Sequence, residues 1–210
     1  MLPLVQKQML LIGPATEHEM VLAFLKAEID SPRYEQVYRE KISSLGFSRT
    51  QLIESADLHN DHQNMERIKL LGEVRGYGAN SYLFSGFPND VSWQRVRLEQ
   101  PEIARLKYAK HPSWIMLSNG TRLVRDGASN IDKILVPDVN GTINENVKKV
   151  AASIQNGQRY SELIAVSGLD DVLILVEGHT RATAYVLSKY TQPVTLLVGT
   201  SATMRNWGFY

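Results

Sequence analysis

The strongest constraint on this chain of 210 residues is an apolar run that passes directly into a glycine turn and a helical pattern. The run covers residues 172–176 and reads VLILV, and an unbroken apolar stretch of this kind is typical of a strand buried on both faces. Ala182, Tyr185 and Val186 follow at helical spacing. Because a strand buried on both faces needs helices above and below its sheet, this segment predicts an α/β fold.

Strands and helices alternate on both sides of that segment. Upstream, residues 134–136 predict a short strand, residues 143–154 carry apolar side chains at helical spacing, and residues 163–166 predict another strand. Downstream, residues 194–198 predict a last buried strand. The alternation favours an α/β (or α+β) domain in this part of the chain.

The first part of the chain has a different pattern. Residues 1–75 carry apolar side chains at helical spacing, which predicts a run of helices. Capping-box spacing marks two helix starts, Thr16 with Glu19 and Ser48 with Gln51. Residues 75–92 are rich in Gly, Asn, Ser and Pro and predict a loop. We therefore divide the chain into a helical region at 1–90 and a second domain at 91–210.

Composition excludes several classes of protein. The chain has no cysteine, which rules out disulfide scaffolds, thiol nucleophiles and Cys-type metal centres. Its 23 basic and 22 acidic residues give a net charge of +1, without the basic excess of most duplex-DNA-binding domains. No stretch approaches the ~20 apolar residues that span a bilayer. We expect a cytoplasmic protein with no membrane partner.

Phosphate chemistry is indicated at the turn after the apolar run. The first N–H groups of a helix lack internal partners, and the helix dipole favours an anion there. Gly178 allows the tight turn, and the Thr180 hydroxyl and the Arg181 guanidinium suit phosphate oxygens. His179 can exchange a proton, and Glu177 can accept one or bind Mg²⁺ through a nucleotide's phosphates. The spacing alone is equally compatible with a helix cap at Thr180 and a structural ion pair at Arg181.

Three further residues are candidates by position. Residues 114–124 read as an apolar run, a polar turn and a return segment, in which Thr121 and Arg122 would supply additional phosphate donors or would simply form a hairpin turn. Asp138 follows the predicted strand at 134–136 and is a candidate general base, or an ordinary turn aspartate.

The HNDH segment is a candidate metal site, with His59, Asp61 and His62 as the ligands.

The segment VLILVEGHTRATAYVL is similar to the second signature box of the ParB/sulfiredoxin-like superfamily, in which a strand runs into a Gly-x-x-Arg turn and a helix. The upstream segment ILVPDVNGTINENVKKVAASIQNGQRYSELIAV resembles the first box of that family. Together with the closing PVTLLV strand, the resemblance covers roughly residues 131–200. It implies a ParB/sulfiredoxin-like core in the C-terminal part, preceded by the helical region.

The resemblance also implies a function. Superfamily members bind nucleotide phosphates with the second box. Sulfiredoxins need a cysteine where this chain has His179, so that activity is excluded. ParB proteins, which bind CTP, have Glu-Arg-Arg after the glycine, and only Arg181 matches. Free-serine kinases carry an acidic residue, Gly, His, His and Arg, a pattern from which residues 177–181 differ only at Thr180.

These observations predict a nucleotide-binding protein that transfers or hydrolyses the terminal phosphate of ATP or a related nucleotide, CTP included. Glu177, His179 and Asp138 would be catalytic, and Glu177 would hold Mg²⁺. Gly178 to Arg181, together with Thr121 and Arg122, would bind the nucleotide. The sequence does not identify the phosphate acceptor, and it leaves open whether the chain forms a homodimer. The alternative is a nucleotide-switched, ParB-like regulatory or DNA-associated module, a nuclease included, without kinase activity.

Overall fold

The computed structural model of the chain describes residues 9–139, 141–170 and 172–210. The helices are α1 (Glu17–Glu28), α2 (Glu35–Ser44), α3 (Asp61–Arg75), α4 (Gln100–Ile103), α5 (Pro112–Leu117), α6 (Val124–Asn130), α7 (Ile143–Gln155) and α8 (His179–Leu187). The strands are β1 (Leu10–Ala15), β2 (Ser92–Leu98), β3 (Pro137–Asp138), β4 (Gly141–Thr142), β5 (Leu163–Ser167), β6 (Ile174–Glu177) and β7 (Val194–Thr200). One short π-helical segment occupies Thr50–Glu54. None of the helices in these described ranges combines the length and the apolar character needed to cross a membrane.

Five strands form one mixed sheet in the order β1-β2-β7-β5-β6. Its three antiparallel pairs are β1 with β2, β2 with β7, and β5 with β6. β5 and β7 run parallel. β3 and β4 form a separate small hairpin. A mixed sheet with helices on its faces confirms the predicted α/β class.

Both faces of the sheet are covered by helices. On one face, apolar side chains of α1, α2 and α3 pack against Ile164, Val166 and Leu197. On the other face, those of α7 and α8 pack against Leu163 and Ala165. Every residue of β5 is buried because β5 lies between the two layers. Burial of apolar surface on both sides therefore holds the central strands in place.

α7 and α8 form the layer that carries the candidate turn. α7 begins with a capping box in which Thr142 and Glu145 satisfy each other's backbone N–H groups. α7 packs against α8. Small residues on α8, Ala182 and Ala184, are completely buried and allow this approach. The segments that resemble the two family boxes are thus neighbours in space.

Two expectations for the first part of the chain need correction. Residues 10–15 form a strand rather than helix, because their backbone groups pair with β2 at the edge of the sheet. The apolar side chains there are consecutive and about half exposed, so they carry no periodic signal of a strand. The sequence also predicts a short helix through Leu71 that ends at Gly72, but α3 continues to Arg75 and is capped by Gly76, whose φ of 85° suits the left-handed cap.

The segments before the first family box also differ from the prediction. Residues 112–117 are helical, not an extended run, because Pro112 starts a helix in the position where its missing N–H costs nothing. Residues 134–136 are not assigned to a strand, and the short β3 begins at Pro137. The strands predicted at 163–166 and 194–198 are confirmed as β5 and β7.

Side chains from both sides of the proposed boundary at residue 90 share one apolar cluster. Phe24 and Leu71 belong to the same cluster as Leu197 and Trp207. The Trp207 indole also donates to the carbonyl oxygen of Leu83, at 2.6 Å. The helical region therefore forms one wall of the same core as the sheet.

Candidate functional site

The candidate turn lies where β6 passes into α8. Gly178 is the residue before the first helical turn and has a φ of 97°, in the left-handed region that favours glycine. A Cβ at this position would lie 2.4 Å from Cδ2 of Leu163 on β5. Within the described residues, no side chain caps the N-terminus of α8. The first N–H groups of this helix are therefore left for another acceptor.

Arg181 is buried, with 7% of its surface exposed. Its Nη1 donates to the carbonyl oxygen and the hydroxyl of Ser161, at 2.5 and 2.7 Å, and to the carbonyl of Glu162 at 3.3 Å. Its Nη2 forms an ion pair with Oε2 of Glu177, four residues earlier. The guanidinium thus joins the start of β5 to the first turn of α8, and its charge is compensated within the protein.

His179 is held in place by a backbone donor and two aromatic rings. The N–H of Ala109 donates to Nε2 at 3.2 Å. The imidazole is stacked against Tyr108 and Trp114, at centroid distances of 5.8 and 5.4 Å. Burial, with smaller contributions from surrounding cations, lowers the pKa of His179 to about 3. The ring is therefore neutral at physiological pH.

The helical region brings a buried carboxylate close to this turn. Glu28, the last residue of α1, accepts a hydrogen bond from the Tyr38 hydroxyl at 3.0 Å. Nε of Arg75, at the end of α3, lies 3.4 Å from its Oε1. Burial, together with the nearby charge of Glu177, raises the pKa of Glu28 to about 7 although Arg75 lowers it. Glu28 and Glu177 are therefore neighbours that interact electrostatically.

Sequence reasoning missed Glu28 and Arg75. The available signal was the position of Glu28 on the apolar face of α1, in line with Val21, Phe24 and Leu25 at helical spacing. A carboxylate on an apolar face is costly to bury and needs a partner. Its proximity to Glu177, however, depends on how α1 packs against the sheet, and no local pattern encodes that.

Asp138 lies on the β3–β4 hairpin and is tied to the helical region. One carboxylate oxygen forms an ion pair with Arg33 and accepts from the N–H of Val139 at 2.7 Å. The other accepts from Nδ2 of Asn146 at 3.1 Å. Partial burial alone would raise the pKa of Asp138, but these hydrogen bonds and the charge of Arg33 lower it. His111 lies close enough to Asp138 to interact with its charge.

Thr121 and Arg122 make contacts inside the protein. Nε of Arg122 donates to the carbonyl of Tyr108 at 2.8 Å, and Nη1 donates to the carbonyl of Tyr210 at 2.9 Å. The Thr121 hydroxyl contacts Asp126 at 2.6 Å. Arg122 therefore anchors the segment around Tyr210, and it is linked to the turn through Tyr108, whose ring stacks on His179.

No group of three or more acidic or histidine side chains is placed to hold a metal ion in the described part of the chain, so His59, Asp61 and His62 do not form one. A cavity of about 140 Å³ lies beside Tyr77 and Trp93, and none of the turn residues line it.

The structure thus brings Glu177, His179 and Arg181 together with Glu28 and Arg75, at the junction of the helical region and the sheet. Asp138 lies at the edge of this group through Arg33 and His111. Scans against protein-family models and searches of curated proteins and of solved structures returned no match for this chain.

Proposed function

We propose that this chain binds a nucleotide by its phosphates at the N-terminus of α8 and transfers or hydrolyses the terminal phosphate. The observation that carries the proposal is the uncapped start of α8 at Gly178, directly after a buried strand. The free N–H groups and the helix dipole favour a phosphate at this point. The Thr180 hydroxyl, which has no partner among the described residues, adds a side-chain donor.

Arg181 supports this site indirectly, through its contacts with neighbouring residues of the protein. Its guanidinium is occupied by Ser161, Glu162 and Glu177, so its role is to fix the turn. A preorganised donor set of this kind needs little rearrangement when charge develops in a transition state. Arg181 is in this proposal a positioning residue.

The order of elements supports a ParB/sulfiredoxin-like core. α7 leads into β5, β6 leads into the turn and α8, and β7 follows beside β5. This is the order that the resemblance to the two family boxes implies. The packing of α7 on α8 places the two boxes side by side.

In a transfer step, a bond forms between the acceptor oxygen and the terminal phosphorus, and the bond from that phosphorus to the bridging oxygen breaks. The nucleoside diphosphate (for a triphosphate donor) leaves, and the acceptor loses its proton to a base. Glu177 is the carboxylate on the turn itself, and Glu28 is the neighbouring carboxyl whose pKa of about 7 suits proton exchange. In hydrolysis, water takes the place of the acceptor.

Glu177, together with the phosphates of a bound nucleotide, is a suitable ligand set for Mg²⁺. The ion is usually held by one or two carboxylates together with substrate phosphates, and Glu177 has Oε1 without a partner among the described residues. When bound, Mg²⁺ would neutralise phosphate charge. Glu177 is the residue that would hold it.

The proposal is tested by adding ATP, ADP and CTP, each with and without Mg²⁺, and measuring the melting temperature. A ligand that binds only the folded chain raises that temperature by mass action. The informative variant is Thr180→Asp, with Thr180→Asn as its neutral control of similar size. The added carboxylate interacts favourably with the helix dipole, by roughly 0.5 kcal/mol, but occupies and repels the place of a phosphate.

We expect a nucleotide-induced shift in the wild type and in Thr180→Asn, and its loss in a Thr180→Asp variant that is at least as stable. Equal shifts in both variants would contradict phosphate binding at α8. A gel shift with random duplex DNA at low salt tests the alternative function. DNA binding without a nucleotide response would favour a DNA-associated module.

A further inference from the structure

The hydrogen bond to His179 fixes which ring nitrogen carries the proton. A backbone N–H can only donate, and that of Ala109 points at Nε2 from 3.2 Å. Nε2 must therefore keep its lone pair, and the neutral imidazole carries its hydrogen on Nδ1. The protonated ring would place two donors face to face at Nε2, which disfavours it.

The Ala109 donor is held rigidly because backbone hydrogen bonds fix its neighbours. The N–H of Lys107 donates to the carbonyl of Leu173 at 2.9 Å, and the N–H of Lys110 donates to the carbonyl of Phe209 at 2.9 Å. The N–H of Tyr108, between them, donates to the carbonyl of Arg122 at 2.7 Å. The segment that carries the Ala109 N–H is thus attached on both sides and has little freedom to follow a rotating imidazole.

The ring itself is also fixed. Tyr108 and Trp114 stack against it, and the Tyr108 hydroxyl lies 2.6 Å from the Thr183 hydroxyl, which donates to the carbonyl of His179 at 2.7 Å. The two stacked rings and these hydrogen bonds therefore hold the imidazole in one orientation.

Nδ1 of His179 has no hydrogen-bond partner among the described residues, and the residue as a whole is partly exposed at the start of α8. We propose that His179 serves the site as a fixed hydrogen-bond donor through Nδ1–H to a phosphate oxygen, while its Nε2 stays engaged by the N–H of Ala109. This inference rests on the proposed function. It replaces the proton-exchange role that the residue type alone suggested.

The tautomer is measured first, in the wild-type chain without nucleotide. Long-range proton–nitrogen correlation of ¹⁵N-labelled histidine distinguishes Nδ1–H from Nε2–H, and the signals of His179 are those that disappear in His179→Asn. We expect the Nδ1–H form at neutral pH. An Nε2–H tautomer would overturn the inference whatever the nucleotide does.

The donor role is tested with two amides, His179→Asn and His179→Gln. The asparagine amide reaches the place of Nδ1, whereas the glutamine amide reaches the place of Nε2 and can accept from Ala109. A purely structural role predicts that Gln is the better substitute in every measurement. The donor role predicts opposite orders: Gln gives the higher melting temperature, while Asn binds ATP and CTP, each with Mg²⁺, about tenfold more tightly than Gln.

Tighter nucleotide binding by the Gln variant would overturn the donor role. If the wild type has the Nδ1–H tautomer but binds neither ATP nor CTP, the proposed function fails and the donor role fails with it. If the wild type binds nucleotide but has the Nε2–H tautomer, only the present inference fails.

Discussion

The guanidinium of Arg181 donates to both the carbonyl oxygen and the hydroxyl of Ser161, so one side chain of α8 fixes the residue that precedes β5 by two positions. The same guanidinium pairs with Glu177 at the end of β6. The segment that leads into β5 and the end of β6 are therefore linked through a single buried cation. Changes at Arg181 act on the fold as well as on any ligand.

Arg181→Ala is expected to lower the free energy of unfolding by about 3 kcal/mol, because it leaves Glu177 without its cation and the carbonyls of Ser161 and Glu162 without a donor. Ser161→Ala removes one acceptor only and should cost about 1 kcal/mol. Urea denaturation measures both. Equal losses in the two variants would show that the buried ion pair contributes little.

Gly178→Ala is expected to destabilise the chain much more than Gly157→Ala. Both glycines have a positive φ, of 97° and 86°, so both alanines carry a similar backbone penalty of about 1 kcal/mol. At Gly157 nothing lies within 4 Å of the added Cβ, whereas at Gly178 Cδ2 of Leu163 lies 2.4 Å away. Overpacking should add about 2 kcal/mol. Melting curves of the two variants test the difference, and equal melting temperatures would contradict the close contact.

Glu28 should make the folded chain less stable as the pH rises. Its pKa is raised from 4.5 to about 7, so between these values the folded chain keeps a proton that the unfolded chain has released. The free energy of unfolding therefore falls across that window, by about 3 kcal/mol, and is then constant. Glu28→Gln should abolish this fall, as measured by urea denaturation from about pH 4.5 to 8.

His179 and His111 oppose that trend. Burial lowers the pKa of both, so below the ordinary value of 6.5 the unfolded chain binds protons that the folded chain does not. Their contribution rises with pH up to 6.5 and is then complete. Stability of Glu28→Gln should therefore increase with pH over this range, whereas the wild type should be flatter. Glu40→Gln, at an exposed position on α2, is the control that should follow the wild type. An unchanged profile in Glu28→Gln would exclude a protonated Glu28.

The ion pair between Arg33 and Asp138 should contribute little to stability, although it joins the helical region to the β3–β4 hairpin. The Arg33 side chain is 41% exposed. A double-mutant cycle with Arg33→Ala and Asp138→Ala should give a coupling energy below about 1 kcal/mol, reduced further by salt. Because the pKa of Asp138 is lowered, the coupling should be present above pH 3.8 and disappear as the pH falls below it. A coupling that persists in acid would contradict this pairing.

The second half of the sheet was predictable because its residues carry local signals. LIAV is apolar without interruption and lies in the buried strand β5. VLILV is also uninterrupted, but only its last three residues lie in β6, and the helical spacing after Gly178 reappears as α8. The strand β1 was not predictable, because an exposed edge strand is specified by its pairing with β2, about 80 residues away along the chain.

The candidate site was predictable only in part. The turn at Gly178 and the ion-pairing capacity of Arg181 follow from residue type and spacing. The hydrogen bond that the Ala109 N–H donates to His179 depends on the packing of segments that are distant in sequence, and so does the approach of Glu28 to Glu177. Electrostatic neighbours of this kind are set by tertiary structure, which is why the protonation states differ from those that isolated residues suggest.

The strand order has a consequence for how the chain folds. β7 lies at the centre of the sheet but comes last of the strands along the chain, so β1 with β2 and β5 with β6 have no common neighbour until it is available. Until β7 pairs with them, β2 and β5 each have one edge without a partner strand. Pairing across such large sequence separations is slow. Completion of the sheet, and with it the positioning of the turn against the helical region, should therefore be a late and cooperative event in folding.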